Sequence, residues 1–347
     1  MSDTTHYTST QATVAALAAA AAGRFGERVA ARHKVDGEWR ELTYEQVGAA
    51  IEEVALGLIE LGIQSGDRVA ILSDTRLEWT LASYGITAAG AVVVPVYPTN
   101  SPRECEWVLG NSGARAVFCE SAQQRAKIDQ VAGELPDLAH TIGIEAGGGE
   151  LMLDELRERG GAGQRAELRA RQAALAPEDP YTIIYTSGTT GPPKGVVLSH
   201  RNAMSVCEMV QELQFVAADE RTYLYLPLAH AFALTAQLAS YDLGSMIIYY
   251  GRDTKRIVEE LIETRPTYLP SVPRIFEKLY TAAIKLRDQS GEIDRESFEQ
   301  AIKLGVEVRR RRRDGEESKP VAGLLSPVRC GVNSPGTIPR FCGCRGP

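Results

Sequence analysis

The sequence predicts an α/β fold of layered, mostly parallel sheets with flanking helices. Two observations carry this. Between residues 68 and 119 short apolar runs alternate with helical periodicity, and residues 91–96 (Ala-Val-Val-Val-Pro-Val) are apolar throughout, as in a strand buried on both faces. The composition, 44% hydrophobic and 24% charged over 347 residues, supports one large domain or two ordinary ones.

The elements follow in order. The alanine-rich residues 13–22 read as a surface helix and not a signal peptide, since no basic stretch precedes them and Arg24, Glu27 and Arg28 follow. Residues 29–33 and 38–42 flank Asp36-Gly37 as a hairpin. Thr43 and Gln46 form a capping-box pattern opening a helix with Val47, Ile51, Val54, Leu58 and Leu61 on one face, stopped by Gly62. Residues 68–72 are a strand, 77–89 an amphipathic helix ending near Gly90, and 91–96 a second strand. Ser101-Pro102 starts another helix and 116–119 is a third strand. Residues 146–164 are glycine-rich and read as a loop around one short helix. Strand signals return at 181–185, 195–198, 222–226 and 245–250, with helices at 202–214 and 254–264 and a longer one ending near Arg313.

Bulk properties exclude several classes. A net charge of −7 argues against nucleic acid, so an anionic substrate needs a local cation or a set of backbone donors. No apolar run approaches the roughly 20 residues that span a bilayer. Six scattered cysteines do not make a disulfide framework, and a reducing cytoplasm is the expected compartment. The five histidines lack HExxH spacing and the upstream cysteines lack CxxC, so no structural zinc site is expected.

One segment carries chemistry: Tyr185-Thr186-Ser187-Gly188-Thr189-Thr190-Gly191-Pro192-Pro193-Lys194-Gly195. Small and hydroxylated residues between two strands allow backbone N–H groups to converge on phosphate oxygens. The hydroxyls of Thr186, Ser187, Thr189 and Thr190 add donors, and Lys194 adds positive charge. It is not a Walker loop, which needs glycine at position 193 and a hydroxyl at 195.

This string closely resembles the phosphate-binding signature of acyl-adenylate-forming enzymes, and the chain is most similar to their long-chain fatty acyl-CoA synthetase branch. Further matches fall in the family's order. They are Leu42-Thr43-Tyr44-Glu45-Gln46-Val47, residues 88–96, Leu226-Pro227-Leu228-Ala229-His230-Ala231-Phe232, and Val272-Pro273-Arg274-Ile275-Phe276-Glu277-Lys278, over roughly residues 10–315. The resemblance implies the incomplete large N-terminal domain of such an enzyme. It also implies a reaction in which a fatty acid carboxylate attacks ATP to give acyl-AMP and pyrophosphate, after which coenzyme A displaces AMP. Residues 186–191 and Lys194 would bind the nucleotide, Lys194 and His230 would be catalytic, and Thr186 would lie nearest Mg²⁺.

His230 has two readings, a residue lining the acyl and nucleotide pocket or a histidine satisfied by local backbone. His200, after Ser199, reads as structural at a helix start. Arg274 could serve an anionic ligand or an ion pair. The five arginines at 309–313 sit beside Asp314, Glu316 and Glu317 and read as a solvated helix end.

After Arg313 the family's glutamate, ribose-binding aspartate and mobile lysine-bearing domain have no counterpart. Residues 317–347 instead hold five glycines, five prolines and the cysteines 330, 342 and 344, without periodicity. The expected organisation is a first α/β subdomain at 1–145 and a loop-rich connection at 146–175. A second α/β part at 176–315 carries the phosphate loop, and 316–347 is a disordered, non-native tail from truncation or a frame shift. Two alternatives stay open: an inactive fragment or nucleotide-binding remnant, and an acyl-AMP ligase that serves a carrier protein. Partners are the fatty acid, ATP and coenzyme A, with no transmembrane segment and room for peripheral membrane contact. The oligomeric state stays open.

Overall fold

In a computed structural model of the protein, β1 (Val29–Val35) and β2 (Glu38–Thr43) pair antiparallel around Asp36 and Gly37, whose φ angles are 51° and 82°. These left-handed conformations are the ones an Asp-Gly turn supplies at least cost. The structure describes residues 11–186, 191–213 and 219–289, together with 296, 299–300, 302–307, 310 and 340–342. Residues 1–270 and 339–342 form one compact unit; residues 271–338 and 343–347 form another.

The first unit contains two sheets. One holds β3 (Arg68–Leu72), β4 (Val92–Val96), β5 (Ala114–Cys119), β6 (His140–Gly143), β7 (Leu151–Met152), β8 (Pro180–Thr186) and β9 (Lys194–Ser199), in the order β7-β6-β5-β3-β4-β8-β9. All its pairs are parallel except β8 with β9. The other adds β10 (Arg221–Leu224), β11 (Met246–Tyr249), β12 (Tyr268–Pro270) and β13 (Arg340–Cys342) to the hairpin, in the order β13-β12-β10-β11-β1-β2. Every residue of β4 is buried, as its unbroken apolar run requires.

Helices cover both sheets. α1 (Val14–Phe25) and α2 (Tyr44–Glu60) pack together so closely that a Cβ on Gly48 would lie 2.6 Å from Ala22 Cβ. Five residues of α1, among them Leu17 and Ala21, are buried, so this expected surface helix contributes to the core. The capping box of α2 is complete: Gln46 N–H donates to Thr43 Oγ1 (3.2 Å) and Thr43 N–H to Gln46 Oε1 (2.9 Å). The helix stops where Gly62 adopts φ 85°.

α3 (Leu77–Ala88) differs from its expected amphipathic character. Every residue but Glu78 is buried. On one side it packs against α2, and Thr80 on α3 shares a hydrogen bond with Tyr249 of β11 (2.6 Å). A helix between two layers has no solvent face, so the hydroxyls of Thr80 and Thr87 turn inward, the latter donating to Ser83 O (2.8 Å).

α4 (Pro102–Ser112) starts with the capping box of Ser101 and Glu104, and α5 (Ala122–Asp129) follows β5. The stretch 146–164, expected as a loop around one short helix, holds β7, α6 (Leu153–Arg159) and the first turn of α7 (Ala162–Ala174). Only Leu168 and Arg171 of α7 are buried, too few for a readable apolar stripe. Arg171 Nη1 secures the helix by donating to the carbonyls of Ile63 (2.7 Å) and Ala89 (3.1 Å). α8 (His200–Glu212), α9 (Ala231–Leu243) and α10 (Ile257–Thr264) complete the unit's described helices.

The second unit's described part is α11 (Pro273–Gln289) and the short stretches up to residue 310. Of the segment 316–347, residues 340–342 are described. They form β13, paired in parallel with β12. The rest of the tail, with Cys330 and Cys344, lies outside the described residues.

Candidate active site

The carboxyl ends of β4 and β8 face the turn before α9 across a cleft of about 500 Å³. In open parallel sheets this edge is where ligands bind, because strand ends leave loops free to carry function. Thr186, the last residue of β8, and His230 both line the cleft. They come from sites 44 residues apart in sequence.

Thr186 pairs with Lys194 across the β8–β9 hairpin. Both residues are exposed. Lys194 opens β9 next to Pro193, which also lines the cleft; Lys194 itself is not among the lining residues. Gly191 has φ 85°, a conformation that favours glycine. Ser187, Gly188, Thr189 and Thr190 lie outside the described residues.

His230 is bonded to local backbone and also lines the cleft. It is the N-cap of α9, with Nδ1 accepting from Phe232 N–H at 3.4 Å, and it is exposed in the cleft. An accepting Nδ1 places the proton of the neutral ring on Nε2, which leaves a donor for a ligand. The turn is held from below by Thr75, whose Oγ1 donates to Leu226 O (2.7 Å) and accepts from Leu228 N–H (3.1 Å).

His200 is structural. Ser199 caps α8 by accepting from Asn202 N–H (3.3 Å), and the buried His200 ring accepts from Val14 N–H at the start of α1 (3.2 Å). Burial lowers its pKa to about 4. Arg274 is an exposed residue of α11 in the second unit. Among the described residues, no group of three or more His, Cys, Asp or Glu could hold a metal ion, and no helix is long and apolar enough to cross a membrane. Cys105, Cys119 and Cys207 are buried free thiols.

Sequence reasoning missed the opposite wall, the turn of Tyr97, Thr99 and Asn100. The Pro98 carbonyl in this turn accepts from Gln124 Nε2 (3.1 Å) and Lys127 Nζ (2.6 Å) on α5. Burial raises the Tyr97 phenol above its usual pKa. Glu104 also lines the cleft, and its carboxyl is held below the usual range by the backbone N–H and then the hydroxyl of Ser101. The position of these residues just after β4 was the available signal.

A second cleft, of about 310 Å³, lies at the ends of β1 and β11. Its cations are engaged internally: Arg76 pairs with Glu78, Glu120 and Glu145, and Arg252 with Glu120 and Glu145. A cation already neutralised has little left for an anionic ligand, which favours the first cleft.

A sequence profile of the AMP-binding enzyme family matches residues 18–322. The chain belongs to that family. It is 39% identical over 251 residues to the long-chain-fatty-acid–CoA ligase FadD15 of Mycobacterium bovis, covering 72% of this chain and 42% of that protein. It is 29% identical over 290 residues to the peroxisomal long chain acyl-CoA synthetase 6 of Arabidopsis thaliana, covering 78% of this chain and 40% of that one. The chain thus spans less than half the length of the curated relatives it matches. The inhibitor-bound N-terminal domain of FACL13 from Mycobacterium tuberculosis matches with a TM-score of 0.65 and 28% identity, over 76% of this chain and 64% of that one. A long-chain-fatty-acid-CoA ligase (FadD1) from Archaeoglobus fulgidus, at TM-score 0.68 and 19% identity over 79% and 54% of the two chains, shares the fold. In this chain the early motif opens α2, residues 88–96 turn α3 into β4, and residues 226–232 turn β10 into α9.

Proposed function

We propose that this chain carries the nucleotide-phosphate grip of an ATP-dependent long-chain fatty acid–CoA ligase. The observation that supports it is the meeting of Thr186 and His230 in one cleft at the carboxyl ends of β4 and β8, beside the hairpin that bears Lys194. In the proposed reaction a fatty acid carboxylate attacks the α-phosphate of ATP, forming acyl-AMP and releasing pyrophosphate. The thiol of coenzyme A then displaces AMP.

The first step brings two anions together. The Lys194 ammonium offsets phosphate charge, and Nε2–H of His230 donates to an oxygen that gains charge during attack. Mg²⁺ belongs to the same proposal. It takes hard oxygen ligands, and Thr186 Oγ1 or the Glu104 carboxylate would hold it, with the side-chain oxygens of Thr99 and Asn100 in the same cleft. When bound, it would neutralise charge on the β- and γ-phosphates.

Pyrophosphate release in the presence of ATP, Mg²⁺ and a panel of fatty acids tests the reading. Release that is lost in Lys194→Ala supports it. A second reading is nucleotide binding without turnover, since Lys194 itself does not line the cleft. Folded protein that binds ATP and releases no pyrophosphate would select it.

A further inference from the structure

β9 is the last strand of its sheet among the described residues, and residues 194–197 are exposed. β8 therefore holds it from one side. Just before it, Pro192 and Pro193 have no backbone N–H, so this stretch can be tied down only through its carbonyls. One tie is present: the indole N–H of Trp107 donates to Pro193 O at 2.8 Å.

Trp107 lies on α4, and Asn111, four residues on, falls on the same helix face. Asn111 Oδ1 accepts from the Tyr185 hydroxyl at 2.7 Å. The helix thus grips the residue before Thr186 with one side chain and the residue before Lys194 with another. It is itself fixed at both ends. The Ser101–Glu104 capping box secures its start, and Arg68 donates to the carbonyls of Ser112 (2.7 Å) and Gly113 (2.8 Å) at its finish.

We propose that Trp107 is a positioning residue that sets where Lys194 stands relative to Thr186, so that both meet the phosphates of one nucleotide. The inference rests on the phosphate-grip reading of the cleft and names a residue outside its lining. An indole suits the task because it donates without accepting, and its two-ring length bridges from the helix to an edge segment. At 38% exposure it contributes less to the core than a fully buried tryptophan would, which separates its positioning role from folding.

The test uses the whole 347-residue chain, with ATP and Mg²⁺ titrated by calorimetry and by tryptophan emission. Trp107→Phe keeps a ring and removes the donor. The expected result is ATP affinity weakened about three- to tenfold, the worth of one hydrogen bond, with an unchanged melting temperature. Wild-type emission should also change on ATP addition, and that change should vanish in Trp107→Phe while calorimetry still detects binding. Lys194→Ala serves as the reference for the reading beneath. If Lys194→Ala weakens ATP and Trp107→Phe binds like wild type, the positioning role is overturned and the phosphate grip stands. A lower melting temperature with unchanged ATP affinity overturns it as well, because it marks a purely structural bond. If wild type binds no ATP, or Lys194→Ala binds as wild type does, both the grip and the inference fall.

Discussion

The Nδ1 atom of His200 accepts the backbone N–H of Val14 at 3.2 Å, joining the first turn of α8 to the first turn of α1 across 186 residues of sequence. An imidazole that accepts there must be unprotonated, and burial lowers its pKa from 6.5 to about 4. The unfolded chain therefore binds more protons between those values. The contribution to stability is complete above pH 6.5 and is lost as pH falls towards 4, amounting to about 3 kcal/mol across the window. Melting temperatures between pH 7 and 4 should fall more steeply for wild type than for His200→Gln, which cannot titrate. Parallel curves would refute the assignment.

Thr75 connects the fold to the cleft. It is 2% exposed, and its hydroxyl holds both sides of the turn that presents His230. Thr75→Val keeps the volume and leaves Leu226 O and Leu228 N–H without this partner, at a cost of about 1–3 kcal/mol. Thermal unfolding should shift down by several degrees. Pyrophosphate release should drop by more than the unfolded fraction explains, since His230 loses its support. An equal loss in both measurements would mean that the turn keeps its shape without Thr75.

Local chemistry made much of this architecture legible. Asp36-Gly37, the Thr43–Gln46 box and the apolar run 91–96 each act over a few residues, and each formed where expected. What escaped depends on tertiary surroundings. Residues of α3 show a polar face in sequence, yet Thr80 and Ser83 are buried because another layer lies over them. α7 has the single apolar anchor Leu168 and is fastened through Arg171, so its periodicity is faint. The same holds for the cleft. Thr186 and His230 stand in recognisable strings, whereas Tyr97 and Thr99 follow an ordinary strand and gain significance only from what faces them.

Glu260, 1% exposed, gathers three donors from separate elements: Lys34 Nζ of β1 (2.9 Å), the Tyr223 hydroxyl of β10 (2.7 Å) and Gly251 N–H (2.9 Å). Lys34 is its close cationic partner and is itself mostly buried. Lys34→Met should leave a buried carboxylate without that countercharge and cost about 3 kcal/mol, whereas adding Glu260→Gln should recover more than half of the loss. Urea unfolding of the two single variants and the double variant measures the coupling. Additive effects would show that the pair does not interact.

His230 caps α9, and two substitutions separate that role from the chemical one proposed for it. His230→Ala removes the N-cap of α9 together with the cleft donor. Asparagine is a strong N-cap, so His230→Asn keeps the acceptor for Phe232 N–H and shortens the reach into the cleft. Stability should fall by about 1 kcal/mol in the alanine variant and stay near wild type in the asparagine variant. Adenylation should fall in both, by about a hundredfold if Nε2–H donates to developing charge. Thermal melts and pyrophosphate release on the same preparations provide the comparison. Full activity in His230→Asn would assign the residue to capping alone and leave charge stabilisation to the hairpin of Thr186 and Lys194.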